Sequence, residues 1–250
     1  MAETPASSVP GRPRARARAR RKRRGGAAIF VRDLVVIVAI AVVASFLIKT
    51  FLVRSFFIPS ESMNNTLQVH DRILVNELVP GVVPLQRGDV VVFKDPGGWL
   101  DTPEQAAQPP VVAAVDWVLS LVGLSTSDSN DHLIKRVIGL PGDHITCCNA
   151  LGQMSVNGTP LDEPYAVLPS GTRDVSSLPF DVVVPKGSLW VMGDNRYNSK
   201  DSRFNRGTAT KGFVPLEDVV GRAFVVSWPV SHWQYLSNYP DTFGGVPAAK

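Results

Sequence analysis

Two hydrophobic patterns divide the chain. Over residues 34–53 apolar side chains follow one another almost without a break, whereas further on they come in short β-branched bursts separated by turn residues. About 20 apolar residues is the length a helix needs to cross about 30 Å of hydrocarbon, so the first pattern predicts a transmembrane helix within 29–54. The bursts at 72–79, 90–93, 133–138, 189–192 and 219–228 predict the strands of an all-β domain over 55–230. Asn157-Gly158, set between Met154-Ser155-Val156 and Thr159-Pro160-Leu161, is the dipeptide suited to the positive φ angles of a type I′ hairpin. Leu140-Pro141-Gly142-Asp143 marks a second turn.

Residues 97–131 fit no strand rhythm and read as an insertion: a Pro- and Gln-bearing loop, an apolar run at 111–124, then a polar stretch. The run is too short for a second span and contains Asp116, which leaves a short helix that packs on the domain or dips Trp117 and Leu121 into the membrane interface. Residues 231–250 read as a C-terminal tail.

Charge orients this plan. The formal net charge is +4, but nine of the 26 Lys and Arg residues lie between Arg12 and Arg24, and the chain beyond Asp33 is mildly acidic. Residues 1–28 have almost nothing to bury and are expected to be a disordered, Arg-rich cytoplasmic tail. A basic cluster ahead of an apolar helix keeps the N-terminus in the cytoplasm and places the β domain on the outer side of the membrane in a single pass. The implied partner is the lipid bilayer, with no specific nucleic-acid partner. No polar stretch with a small-residue cleavage site follows the apolar run, which argues against a removable secretory signal. Cys147 and Cys148 are too few for a disulfide framework and lack zinc-site spacing, and are expected as free thiols or as a vicinal disulfide.

Candidate chemistry begins at Ser62, in Ile58-Pro59-Ser60-Glu61-Ser62-Met63. About nine residues separate it from the apolar run, a reach of at most about 30 Å, so Ser62 is expected close to the outer membrane surface. Neither His70, His132, His144 nor His232 sits in a triad motif, and no metal signature is found; no cofactor or metal is expected. Lysine is the other base able to activate a serine, provided that desolvation lowers its pKa. Strand alternation puts Lys135 on one face with Leu133 and Val137, and Arg136 on the other with Ile134 and Ile138. Taken alone, this strand equally accommodates an edge lysine whose tip stays in water.

The ordered segments Pro59-Ser60-Glu61-Ser62-Met63, Arg87-Gly88-Asp89-Val90-Val91, Lys135-Arg136-Val137-Ile138-Gly139-Leu140-Pro141-Gly142-Asp143 and Gly193-Asp194-Asn195-Arg196-Tyr197-Asn198-Ser199-Lys200-Asp201-Ser202-Arg203 resemble a bacterial type I signal peptidase, particularly actinobacterial members. The resemblance implies a mainly β fold: one N-terminal transmembrane helix, then an all-β catalytic domain. It implies a serine endopeptidase in which Ser62 is the nucleophile and Lys135 the general base, with an oxyanion hole made by the Ser62 N–H and the Ser60 hydroxyl. Ser199 matches a position that orients the lysine amine. Asp194, Arg196, Asp201, Arg203 and Arg136 match positions of structural support, and Met63 is expected to line the substrate pocket. The implied substrates are secreted preproteins with cleavable signal peptides and small residues at −1 and −3, delivered by the export translocon.

Two positions depart from the family pattern. Glu61 stands where many members have Gly, and Tyr197 where many have Asp. A carboxylate facing Lys135 would favour the ammonium, so Glu61 is expected to point to solvent. The contrasting reading, a catalytically silent membrane-anchored binding protein for export clients, would require the dyad to be idle.

Overall fold

The computed structural model describes residues 26–100 and 131–249. The Arg-rich cluster and the apolar run with Trp117 and Leu121 lie outside these residues. The chain divides into two compact units, Met1–Ser45 and Phe46–Lys250. Helix α1 covers Gly26–Phe51. Its apolar side chains from Ile29 to Val43 are exposed all round, Phe30, Val35 and Ile37 among them. Among the described residues no helix is long and apolar enough to cross a membrane.

The second unit is mainly β. One antiparallel sheet contains β1 (Val53–Phe57), β2 (Arg72–Asn76), β3 (Val90–Lys94), β4 (His132–Gly139), β9 (Ser188–Met192), β10 (Val214–Pro215), β11 (Val219–Trp228) and β12 (Gln234–Tyr235). Its order is β1-β2-β11-β3-β4-β9-β10, and β12 adds to β11. The second sheet contains β5 (His144–Cys147), β6 (Met154–Val156), β7 (Thr159–Pro160) and β8 (Phe180–Val183), in the order β7-β6-β5-β8. Asn157 and Gly158 join β6 to β7 with φ angles of 50° and 82°, the left-handed pair a type I′ turn requires.

Strand β4 positions the site. It pairs with β3 on one side and β9 on the other, so it is an interior strand and Lys135 is not an edge lysine. Leu133 and Val137 pack with Val91, Phe93 and Trp99, while Ile134 packs with Phe56, Ile58 and Met63. Ile138 joins a third cluster with Ile145, Tyr165 and Trp190. Both faces are covered, and each such aliphatic side chain contributes about 1.5–3 kcal/mol by leaving water.

Three expectations need correction. The helix expected over 29–54 ends at Phe51, because Val53 and Arg54 open β1 and pair with Asn76 and Val75 of β2. The segment expected to be inserted from residue 97 first contributes Trp99 to the core, where it meets Phe93 edge-on at 5.7 Å. The hairpin stem of β3 and β4 closes just before it, where the Asp95 N–H donates to the Asp131 carbonyl at 3.1 Å. Residues 231–249 are not a tail. Within them β12 extends the large sheet, and Leu236, Phe243 and Val246 are buried in core clusters.

Candidate active site

The segment after β1 carries Ser62 over a buried floor. Ile58 anchors it, its N–H donating to the Asp71 carbonyl and its carbonyl accepting from the His70 N–H, each at 2.9 Å. One turn later the Met63 carbonyl accepts from the N–H groups of Thr66 and Leu67, and the side chains of Met63 and Leu67 are fully buried. Met63 therefore belongs to the core beneath the segment instead of lining an open pocket, because its neighbours Ile58, Leu67 and Ile73 enclose it. The Ser62 carbonyl accepts from the Asn195 N–H at 3.1 Å, which ties this segment to the turn after β9.

Lys135 reaches the same point from β4. It is 4 % exposed and Ser62 8 %. Its Nζ donates to Ser62 Oγ at 2.7 Å and to the Ile134 carbonyl at 2.9 Å. An ammonium has three N–H donors and a neutral amine has two plus a lone pair. Two contacts, one of them a hydroxyl able to reverse direction and donate, suit the neutral amine. Burial pushes the Lys135 pKa down to about 8 from 10.5, while the charges of Asp201 and Asp194 oppose the fall. A neutral amine 2.7 Å from a hydroxyl can take its proton.

Ser60 Oγ lies 3.3 Å from Ser62 Oγ. The Ser62 N–H makes no hydrogen bond within the described residues, which leaves a backbone donor beside that hydroxyl. Ser199 donates its hydroxyl hydrogen to Asp201 Oδ2 at 2.8 Å and not to Lys135, so its connection to the amine runs through the Asp201 carboxylate. Glu61 is exposed and accepts from Asn198 Nδ2 at 3.0 Å, away from Lys135. Tyr197 is also exposed and donates to the Asp174 carbonyl.

Three buried bidentate ion pairs surround the dyad. Arg136 clasps Asp194 through Nε at 2.8 Å and Nη2 at 2.6 Å. Arg203 clasps Asp201 through Nε at 2.8 Å and Nη2 at 2.7 Å. Arg196 clasps Glu163 through Nη1 at 2.8 Å and Nη2 at 2.7 Å. A buried charge is tolerable only when paired and hydrogen-bonded, and Arg136 also donates to the carbonyls of Gly88 and Ser237 and to Thr66 Oγ1. Its guanidinium lies 4.2 Å from the centroid of the Tyr165 ring. The pairs at Asp201 and Asp194 partly neutralise the two carboxylates that would otherwise hold Lys135 in its ammonium form.

Comparison with known proteins follows the same line. The family described as "Signal peptidase, peptidase S26" matches residues 31–228. The chain belongs to this family. Among similar proteins, "Probable signal peptidase I" of Mycobacterium leprae (strain TN) is 37% identical over 225 residues, covering 80% of this chain and 77% of its own. "Signal peptidase I" of Mycobacterium tuberculosis (strain ATCC 25618 / H37Rv) is 39% identical over 222 residues, covering 81% of this chain and 74% of its own. "Signal peptidase IB" of Staphylococcus aureus (strain MRSA252) is 30% identical over 223 residues, covering 84% and 96%. The chain is thus a serine endopeptidase, a hydrolase of the class that removes signal peptides.

Sequence reasoning missed two residues of this peptidase site. Gly193 lies one position beyond the Arg136–Met192 pair of β4 and β9, opposite Lys135. A Cβ there would collide with Ser199 Oγ and the Ser62 carbonyl oxygen, so only glycine lets the three segments converge. Its place in a quoted motif was visible, its crowding was not. Glu163, the partner of Arg196, is held by the Tyr165 hydroxyl at 2.9 Å and carries no local signal. The histidines have other partners: His144 meets Asp181 at 2.6 Å and His232 meets Asp71 at 2.8 Å. Cys147 and Cys148 form a vicinal disulfide. Among the described residues no His, Cys, Asp and Glu side chains group as metal ligands.

Proposed function

We propose that Ser62 and Lys135 form the Ser/Lys dyad that cleaves the signal peptide from exported preproteins. The observation that carries this reading is the 2.7 Å contact between Lys135 Nζ and Ser62 Oγ in a setting that lowers the amine pKa to about 8. Lys135 takes the Ser62 proton as Oγ attacks the carbonyl carbon at the cleavage site. The resulting oxyanion is met by the Ser62 N–H and the Ser60 hydroxyl, each such donor stabilising the transition state by about 2.7–4 kcal/mol. Collapse of the intermediate returns the proton from Lys135 to the departing amine, the N-terminus of the mature protein. Lys135 then deprotonates the water that hydrolyses the acyl-enzyme.

Small residues at −1 and −3 fit the narrow apolar depression lined by Ile58, Pro59, His132 and Ile134, within a few residues of both dyad members. The route to substrate is proposed to be the membrane itself. The apolar run of residues 34–53 and the Arg cluster ahead of it support a single anchor with a cytoplasmic N-terminus and an extracytoplasmic catalytic domain, beside the export translocon. Resistance to alkaline carbonate extraction, with the β domain accessible to protease only from outside, is the outcome expected of that topology; release by carbonate would refute it.

The dyad is tested with a detergent-solubilised full chain and a peptide bearing Ala-x-Ala before the cut. Ser62→Ala and Lys135→Ala should each abolish cleavage while thermal unfolding stays cooperative. Retained turnover in Lys135→Ala would sink the mechanism.

A further inference from the structure

A second depression lies on the other side of the nucleophile segment in chain order. It is a groove of about 530 Å³ lined by Asn64, Asn65, Gln68, Val69, Val167 and Asn195. Its lining begins two residues after Ser62, and the Asn195 N–H is the donor that holds the Ser62 carbonyl. The apolar depression is lined by Ile58 and Pro59, just before Ser62 in the chain, and this groove by Asn64 and Asn65, just after it. Small −1 and −3 side chains suit the apolar one, which leaves the residues after the cut for this groove.

The lining has an unusual chemistry: four side-chain amides, two valines and no charge. A primary amide presents a donor and an acceptor side by side, the complement of a peptide group. Asn65 Nδ2 donates to the Tyr165 carbonyl and Asn195 Nδ2 to the Glu61 carbonyl, each at 3.3 Å, which leaves their Oδ1 atoms as acceptors facing a fixed frame. The side-chain amides of Asn64 and Gln68 make no hydrogen bond within the described residues. A groove of this kind offers partners to main-chain N–H and C=O groups and nothing to discriminate a charged side chain.

We infer that this groove binds the first residues of the mature protein through their backbone, so that the enzyme grips the far side of the cleavage site without reading its sequence. The inference rests on Ser62 being the nucleophile. On this reading the selective contacts lie before the cut, and contacts after it use groups common to every peptide.

The test compares two peptides with the same Ala-x-Ala segment, one carrying a single amidated residue after the cut and one carrying five. For the unaltered chain the longer peptide should have about tenfold higher kcat/KM, the worth of one or two hydrogen bonds. In Asn64→Ala/Gln68→Ala the ratio of the two should fall to about one. N-methylation of the second and third amides after the cut should remove the advantage in the unaltered chain. Exchanging the side chains there among Ala, Ser, Lys and Glu should change kcat/KM by less than about threefold. A ratio near one in the unaltered chain, or a ratio undiminished in the double variant, would overturn the inference. Failure of the nucleophile assignment would appear separately, as cleavage by Ser62→Ala.

Discussion

Lys135 and Arg136 are neighbours on one interior strand, both cationic and both removed from water, yet the molecule treats them in opposite ways. Arg136 faces a bidentate carboxylate, two carbonyls, a hydroxyl and an aromatic ring. Burial pulls its guanidinium pKa down, but the charge and hydrogen bonds of Asp194 outweigh that and hold it above the ordinary value. Lys135 faces a hydroxyl and one carbonyl, with carboxylates near enough to act through space but clasped by arginines. The same burial therefore locks one charge in place and makes the other dispensable. The difference between support and chemistry is made by what the opposite faces of β4 meet, not by residue type or depth.

The same substitution on the two faces should separate them most sharply. Lys135→Met keeps most of the stem and removes the amine, so cleavage should fall by at least about a thousandfold. At pH 7 the folded chain carries a buried ammonium that burial disfavours, so this variant should unfold no more easily than the unaltered protein. Arg136→Met should instead strand Asp194 as an unpaired buried charge and cost about 3–5 kcal/mol of stability, read from chemical or thermal unfolding. If Lys135→Met proved the less stable of the two, the contrast would be wrong.

A finer measurement follows Lys135 through its titration. Because its folded pKa of about 8 lies below 10.5, the unfolded chain holds a proton that the folded chain has lost between these values. This group's contribution therefore makes the fold more stable as pH rises from about 8 to 10.5, and the penalty for burying the charge, about 3 kcal/mol, is fully present below about 8. The kcat/KM profile should climb about tenfold per pH unit up to a shoulder near 8. Arg203→Gln removes the bidentate partner of Asp201 and exposes the amine to a fuller negative charge. Its shoulder should move to higher pH by about one unit, lowering kcat/KM at pH 7 about tenfold. An unmoved shoulder would assign Arg203 to holding the turn alone.

Much of the site was legible because its signals are local or ordered. Alternation along residues 132–138 distinguished the two faces of β4, and the four motif segments brought Ser60, Ser62, Lys135 and Ser199 into one site. The pairing within the ion-pair shell was not legible. Glu163 and Arg196 are 33 residues apart, and no spacing rule links them. The C-terminal segment was misread for a similar reason. Strand β12 has two residues, too few for any periodicity, and its neighbours are fixed by what β11 and the cores offer them. The end of α1 was placed late because Leu52 and Val53 continue the apolar run, and only pairing with β2 separates strand from helix there.

Arg136 also ties together segments that lie far apart along the chain. Its acceptors on Gly88, Asp194, Thr66 and Ser237 lie 48, 58, 70 and 101 residues away along the chain. Loops of that size make contact formation late and the fold slow to assemble. The last of them cannot close until residue 237 has emerged from the ribosome. A chain that stops short of residue 237 keeps Asp194, Thr66 and Gly88 as partners of Arg136 and leaves one buried guanidinium N–H without its acceptor.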